Sequence, residues 1–167
     1  GTENPRHPFA WTVRTRERDD TAMTTRDQFR FFHPFRVRYS EIDGQGVLFN
    51  APYLAYYDTA ITEFFRALGY DQYADAQKSG VDFHVVKAVV EYKAPIRFDW
   101  DLDVGVRVAR IGNSSMTFEL AIFRKDEEEL LAAGEIVWVN TDQATHRPVP
   151  IPAATRELLG GDIPRTA

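Results

Sequence analysis

The chain has 167 residues, 44% of them hydrophobic and 13% aromatic, which excludes a disordered protein and predicts one domain with a buried core. Its net charge of −5 argues against a nucleic-acid binder, because neutralising phosphates requires a basic face. Cysteine is absent, so disulfides, thiolate catalysis and cysteine-based zinc sites are excluded.

The chain shows no apolar run near the roughly 18 residues of a membrane span and no signal-peptide pattern, so we expect a cytoplasmic protein. Residues 1–28 mix arginine with acidic residues and keep no helical or strand period. We expect them to form an N-terminal extension that is flexible or docks late. One domain is expected over 29–160 and a short tail over 161–167. Because Gly1 is not a natural start, Met23 is a candidate initiator.

The domain begins with one strand and one long helix. The alternation in FRVRYS predicts the strand over 35–40. A helix is expected over 51–68, with Asn50 as its N-cap and Gly69 as its stop. Residues 70–80 form a connection or short helix. Four strand-like stretches and a short closing helix follow, the strands over 83–93, 101–110, 115–124 and 130–140.

The long helix is apolar around most of its circumference, which predicts burial on most sides. The short gaps 111–114 and 125–129 between the last three strands look like hairpin turns. An α+β fold is therefore expected, in which an antiparallel sheet curls around the helix. Because an open sheet leaves free edges, self-association is also expected.

The stretch YSEIDGQGVLFN joins the first strand to the helix and suggests an acyl-transfer site. Its acid, Asp43, is followed by two glycines that let the backbone approach a ligand closely. The helix start near Asn50 presents unpaired N–H groups and about half a positive charge, which would stabilise an oxyanion. A nearby carboxylate could attack an acyl carbon or activate a water. The alternative is purely structural, because Asp-Gly is an ordinary turn dipeptide.

A wider pattern surrounds this stretch. It comprises Tyr39, Asp43, Gly46, Val47, Tyr53 and Asp58, followed by VVKAVVEYKAPIRFDWDLDV over 85–104. Over about residues 34–159 the chain resembles the hot-dog-fold acyl-CoA thioesterases of the 4-hydroxybenzoyl-CoA thioesterase class, including its YbgC-like branch. The resemblance implies a five-stranded antiparallel sheet wrapped around one long central helix. It also implies homodimers or homotetramers with active sites at the subunit interface.

The resemblance implies hydrolysis of an acyl-CoA or acyl-carrier-protein thioester, with no cofactor, because coenzyme A is part of the substrate. Asp43 would be the nucleophile or general base, Tyr39 its neighbour at the strand end, and the Asn50 amide the oxyanion stabiliser. The residues expected to contact the substrate are Gly46, Phe49 and Tyr53.

The chain departs from the family pattern at two places. The YbgC-like branch usually has histidine where this chain has Asn50, so a backbone role survives but an imidazole role is lost. Some members carry a basic run before the 115–124 strand, whereas this chain has IGNS. The remaining candidates for binding the phosphates of coenzyme A are Lys93, Arg97 and Arg110.

Asp58 is the second candidate acid, because some hot-dog enzymes place their carboxylate on the helix; the simpler interpretation is an interface acid. The histidines do not cluster, so no metal site is expected. Two other functions stay open. One is a hot-dog enoyl thioester hydratase or dehydratase. Such an enzyme usually pairs a histidine with an acid, and no histidine follows Asp43 before His84. A non-catalytic subunit would bind an acyl ligand or scaffold a partner enzyme.

Overall fold

The computed structural model describes residues 23–160, so the expectations for residues 1–22 and for the tail lie outside the described residues. The described residues form five strands and three α-helices. The strands are β1 (Phe31–Arg36), β2 (Val81–Tyr92), β3 (Asp101–Ile111), β4 (Ser115–Arg124) and β5 (Leu130–Asp142). The helices are α1 (Asn50–Ala67), α2 (Gln72–Ser79) and α3 (Ala153–Gly160). No helix in this part of the chain is long and apolar enough to cross a membrane.

All five strands form one antiparallel sheet in the order β1-β3-β4-β5-β2. The two predicted hairpins join β3 to β4 and β4 to β5. Between β2 and β3 the longer connection, 93–100, carries the chain across the sheet, so β1 and β2 become the edge strands. The predicted antiparallel sheet around a helix is therefore confirmed.

Helix α1 packs one face against the sheet, where aromatic residues interlock with the strands. Phe65 stacks on Trp138 of β5 with ring centroids 5.8 Å apart, and Phe64 meets Phe31 of β1 edge-on at 5.5 Å. The opposite face is open, which differs from the predicted burial on most sides: Leu54 is 45% exposed. The single sheet covers only one side of the helix.

The predicted first strand is present, but its predicted range of 35–40 is wrong, because β1 spans Phe31–Arg36. Val37 turns inward into the core and donates its N–H to the carbonyl of Trp100 at 3.0 Å. The next residues, Tyr39–Glu41, form a short 3-10 helix. The alternation of apolar and polar residues continues past Arg36, but the strand pairing with β3 ends there.

The predicted N-cap of α1 is wrong by one residue. Phe49, with an extended backbone, is the N-cap, and Asn50 is the first helical residue. The N–H of Phe49 donates to the carbonyl of Glu41 at 3.2 Å, so Phe49 belongs to the preceding loop and the helix begins at the next residue. The predicted stop is confirmed: Gly69 has φ +75°, a conformation that glycine adopts without steric cost.

Candidate active site

The loop between the 3-10 helix and α1 is a tight hairpin. Ile42 and Leu48 form an antiparallel bridge, and the N–H of Asp43 donates to the carbonyl of Val47 at 2.9 Å. Gly46 has φ +73°, while a side chain built there would meet no atom within 4 Å. Its backbone conformation, not lack of space, therefore favours glycine. The hairpin brings Asp43 back toward the start of α1.

The hairpin is fixed to the connection between β2 and β3. The N–H of Leu48 donates to the carbonyl of Ile96 at 2.7 Å, and both side chains are buried. Val47 forms a backbone bridge with Arg97. The loop is thus anchored on two sides, by α1 and by the 93–100 connection.

The carboxylate of Asp43 is exposed and only half engaged. One oxygen, Oδ1, accepts the N–H of Gln45 at 2.8 Å, which is the turn-stabilising role that Asp-Gly predicts. The other oxygen accepts no hydrogen bond from the residues between 23 and 160. The side chain can therefore hold the turn and still present one oxygen to a substrate.

The first turn of α1 offers a pair of backbone donors. Asn50 and Ala51 donate their N–H groups to no acceptor within the described part of the chain, and Pro52 has no N–H. The carbonyl of Glu41 accepts the preceding N–H, that of Phe49. Two aligned donors at the positive end of a helix dipole are suited to an oxyanion.

The structure separates the three other predicted residues at this end of α1. Phe49 is partly exposed and can touch a ligand, whereas Tyr53 is buried in the core with its ring edge-on to Tyr92 at 4.9 Å. Burial raises the pKa of Tyr53. Tyr39 lies in the 3-10 helix rather than at a strand end. Its exposed ring meets Phe98 edge-on at 5.8 Å, and it forms no hydrogen bond with Asp43.

Asp58, the second candidate acid, is exposed on α1, eight residues past Asn50 and therefore about 12 Å along the helix. It borders a groove of about 190 Å³ between α1 and the edge strand β2. The other residues that line this groove are Leu54, Ile61, Val85, Ala88 and Ile136. Asp58 is thus one carboxylate in an otherwise apolar groove.

The three candidate phosphate-binding cations do not come together. Lys93 pairs with Glu91 at 2.8 Å. Arg97 lies beside the loop through its bridge to Val47 and forms no ion pair with a described residue. Arg110 is near the far end of β3. It lies nine residues, or about 30 Å, from Asp101, where the strand leaves the connection that carries Arg97. Only Arg97 is next to the hairpin.

Sequence reasoning missed one contact at this site. The hydroxyl of Tyr56 on α1 donates a hydrogen bond to the carboxylate of Glu41. Burial, and secondly this bond, raises the pKa of Tyr56 above its usual range. The two residues are 15 positions apart on different elements, so no periodic pattern predicts the pair.

The architecture is that of a hot-dog-fold protein: a five-stranded antiparallel sheet around one long helix, with an acid-bearing loop at the helix start. Residues 37–159 match the thioesterase-like superfamily. The chain belongs to this family, which confirms the resemblance and the predicted fold.

Three known proteins illustrate the relationship. The acyl-CoA thioester hydrolase YbgC of Escherichia coli is 34% identical over 122 residues, 73% of this chain and 90% of the relative. The crystal structure of the PA5185 protein of Pseudomonas aeruginosa is 35% identical with a TM-score of 0.73, covering 86% of this chain and 97% of that one. A 4-hydroxybenzoyl-CoA thioesterase complexed with 4-hydroxybenzoyl-CoA has a TM-score of 0.72 at 14% identity, covering 78% and 98%, and shows the shared fold.

Proposed function

We propose that the chain is an acyl-CoA thioesterase in which Asp43 acts as nucleophile or general base. The observation that carries this proposal is that one end of the hairpin has an Asp43 oxygen and the other end has the N–H groups of Asn50 and Ala51, none of which has a hydrogen-bond partner among the described residues. The family membership and the hydrolase name of the Escherichia coli relative support the same reaction.

The thioester carbonyl would accept hydrogen bonds from the start of α1, so that the oxyanion forms at the positive end of the helix. If Asp43 attacks directly, the carbon–sulfur bond breaks, the coenzyme A thiolate leaves, and water hydrolyses the resulting anhydride. If Asp43 is instead a base, it takes a proton from water, whose oxygen attacks the same carbon. Both routes yield a free acid and coenzyme A.

We also propose that two copies pair through β2 and place the site at their interface. Strand β2 is a sheet edge, and Val85 and Val86 are 55% and 60% exposed. An exposed apolar edge strand is a ready template for another strand. Antiparallel pairing of two β2 strands about a two-fold axis would also cover Leu54 and close the groove beside Asp58.

The test is release of free thiol from a panel of acyl-CoA and acyl-carrier-protein thioesters. We expect wild-type turnover, and a loss of about 100-fold or more in kcat for Asp43→Asn, because acid–base or nucleophilic groups typically contribute at least this much. Asp58→Asn is the comparison variant, because it neutralises the second candidate acid, which is exposed on α1.

Full activity of Asp43→Asn together with loss in Asp58→Asn would move the chemistry to the helix acid. If the folded wild type binds acyl-CoA but releases no thiol across the panel, the hydrolase assignment fails and a binding subunit remains.

A further inference from the structure

Glu41 connects the hairpin that carries Asp43 to α1 through both its side chain and its backbone. Its Oε2 atom accepts the hydroxyl of Tyr56 and also the N–H of Arg38, the latter at 2.9 Å. Its backbone carbonyl accepts the N–H of Phe49, the residue immediately before α1. Three donors therefore converge on Glu41: one from the residue before the 3-10 helix, one from the residue before α1 and one from the second turn of α1.

The donor on α1 is itself rigidly placed. The ring of Tyr56 is buried and stacks on Phe35 of β1, with centroids 4.4 Å apart and planes at 17°. A tyrosine hydroxyl is protonated at neutral pH, and burial raises the pKa of Tyr56 further, so the hydroxyl is a donor to Glu41. The contact therefore ties the loop to the sheet as well as to the helix.

Glu41 is next but one to Asp43, and its partner Phe49 adjoins Asn50. We propose that the Tyr56–Glu41 pair is a positioning latch, which holds the Asp43 carboxylate in register with the N–H donors at the start of α1. This inference rests on the proposed thioesterase function. In this proposal both latch residues are positioning residues, which act through the backbone that carries them.

The neighbouring tyrosine provides a matched control. Tyr57 follows Tyr56 on the same helix and is fully buried, but its hydroxyl has no hydrogen-bond partner among residues 23–160. Removing that hydroxyl therefore breaks no contact with the loop. Tyr56→Phe and Tyr57→Phe make the same chemical change one residue apart.

We expect Tyr56→Phe to lower kcat about tenfold with KM near the wild-type value, because misplacement by a fraction of an ångström is costly to a reacting pair. Tyr57→Phe should keep wild-type kcat. Glu41→Ala removes both side-chain bonds and should lower kcat at least as much as Tyr56→Phe, whereas Glu41→Gln should keep activity within about threefold of wild type. Glutamine can preserve it because one oxygen, Oε2, receives both donors, and an amide oxygen can replace it.

Amide hydrogen exchange over residues 42–49 supplies a readout that does not depend on turnover. We expect faster exchange there in Tyr56→Phe and Glu41→Ala, and unchanged exchange in Tyr57→Phe. Wild-type kcat and exchange in Tyr56→Phe would overturn the latch while leaving the thioesterase intact. A drop of kcat in Glu41→Gln equal to that in Glu41→Ala would also overturn it. An inactive wild type would instead overturn the proposed function, and the catalytic purpose of the latch with it.

Discussion

Gly134 of β5 lies directly beneath the ring of Tyr57. A Cβ atom built at Gly134 would be 2.3 Å from the ring carbon Cε2 and 3.0 Å from the hydroxyl oxygen. The ring is fully buried and packed against neighbours, so it has little room to withdraw. The absence of a side chain at Gly134 is therefore what lets α1 approach the sheet this closely.

Gly134→Ala should consequently lower the free energy of unfolding by about 1–3 kcal/mol, the usual cost of overpacking a core. The matched control is Gly44→Ala, where a new Cβ meets nothing within 4 Å, and which should change stability by less than about 0.5 kcal/mol. Urea unfolding of both variants measures the difference. Equal unfolding midpoints would mean that the ring moves aside without cost.

The residues of the site divide by how local their signals are. Asp43 and Gly46 are readable from the sequence because a turn acid and a left-handed glycine act within a few neighbours. The Tyr56–Glu41 contact is not readable, because it depends on how α1 is rotated against the loop. The prediction that Tyr39 lies at a strand end is wrong, because β1 ends at Arg36 and Tyr39 begins the 3-10 helix.

Among the elements, those with internal stop signals were predicted best. The end of α1 follows from Gly69, and β4 was predicted over the residues it occupies. The end of β1 depends instead on a partner: β3 begins at Asp101, opposite Arg36, so no strand remains for later residues to pair with. The alternating pattern of one strand contains no information about where its partner strand begins.

The turn that ends β5 is held by an acid. Asp142 accepts the N–H groups of Ala144 and Thr145 at 2.9 and 2.8 Å, and also the Thr145 hydroxyl. These bonds lower the pKa of Asp142 in the folded state. A depressed pKa stabilises the fold above the unfolded-state pKa, and this contribution is lost as pH falls through the folded value.

Asp142→Asn should therefore be less stable than wild type at pH 7, and the gap should narrow as the pH falls below about 4. Asparagine keeps an acceptor oxygen but does not titrate, so its stability lacks this pH dependence. Urea midpoints at neutral pH and at about pH 3 test the expectation. A gap of constant size would show that the charge on Asp142 contributes nothing.

At the scale of the molecule, the sequence predicts a sheet around a helix but not the order of the strands. Strand β2 precedes β3 in the chain, yet it pairs with β5 at the opposite side of the sheet. The hydrophobic patterns of the strands are alike. They indicate which residues are buried but not which strands pair, so the strand order depends on packing around α1. That order decides which strand is left with a free edge.

The exposed edge of β2 leads to the last prediction. Val85 lines the groove beside Asp58, and its partner across the sheet, Trp138, is buried. Wild type should have twice the 19.1 kDa mass of one chain by light scattering. Val85→Asp should shift the protein toward the monomer, because paired copies of β2 would face each other with new like charges.

Turnover should fall with the dimer if the second copy completes the groove. The matched control is Ala154→Asp, at an exposed position on α3, where the same added charge should leave mass and turnover unchanged. Circular dichroism establishes that both variants are folded. A monomeric Val85→Asp with wild-type kcat would show that one chain carries the whole site, and a persistent dimer would place the interface away from β2.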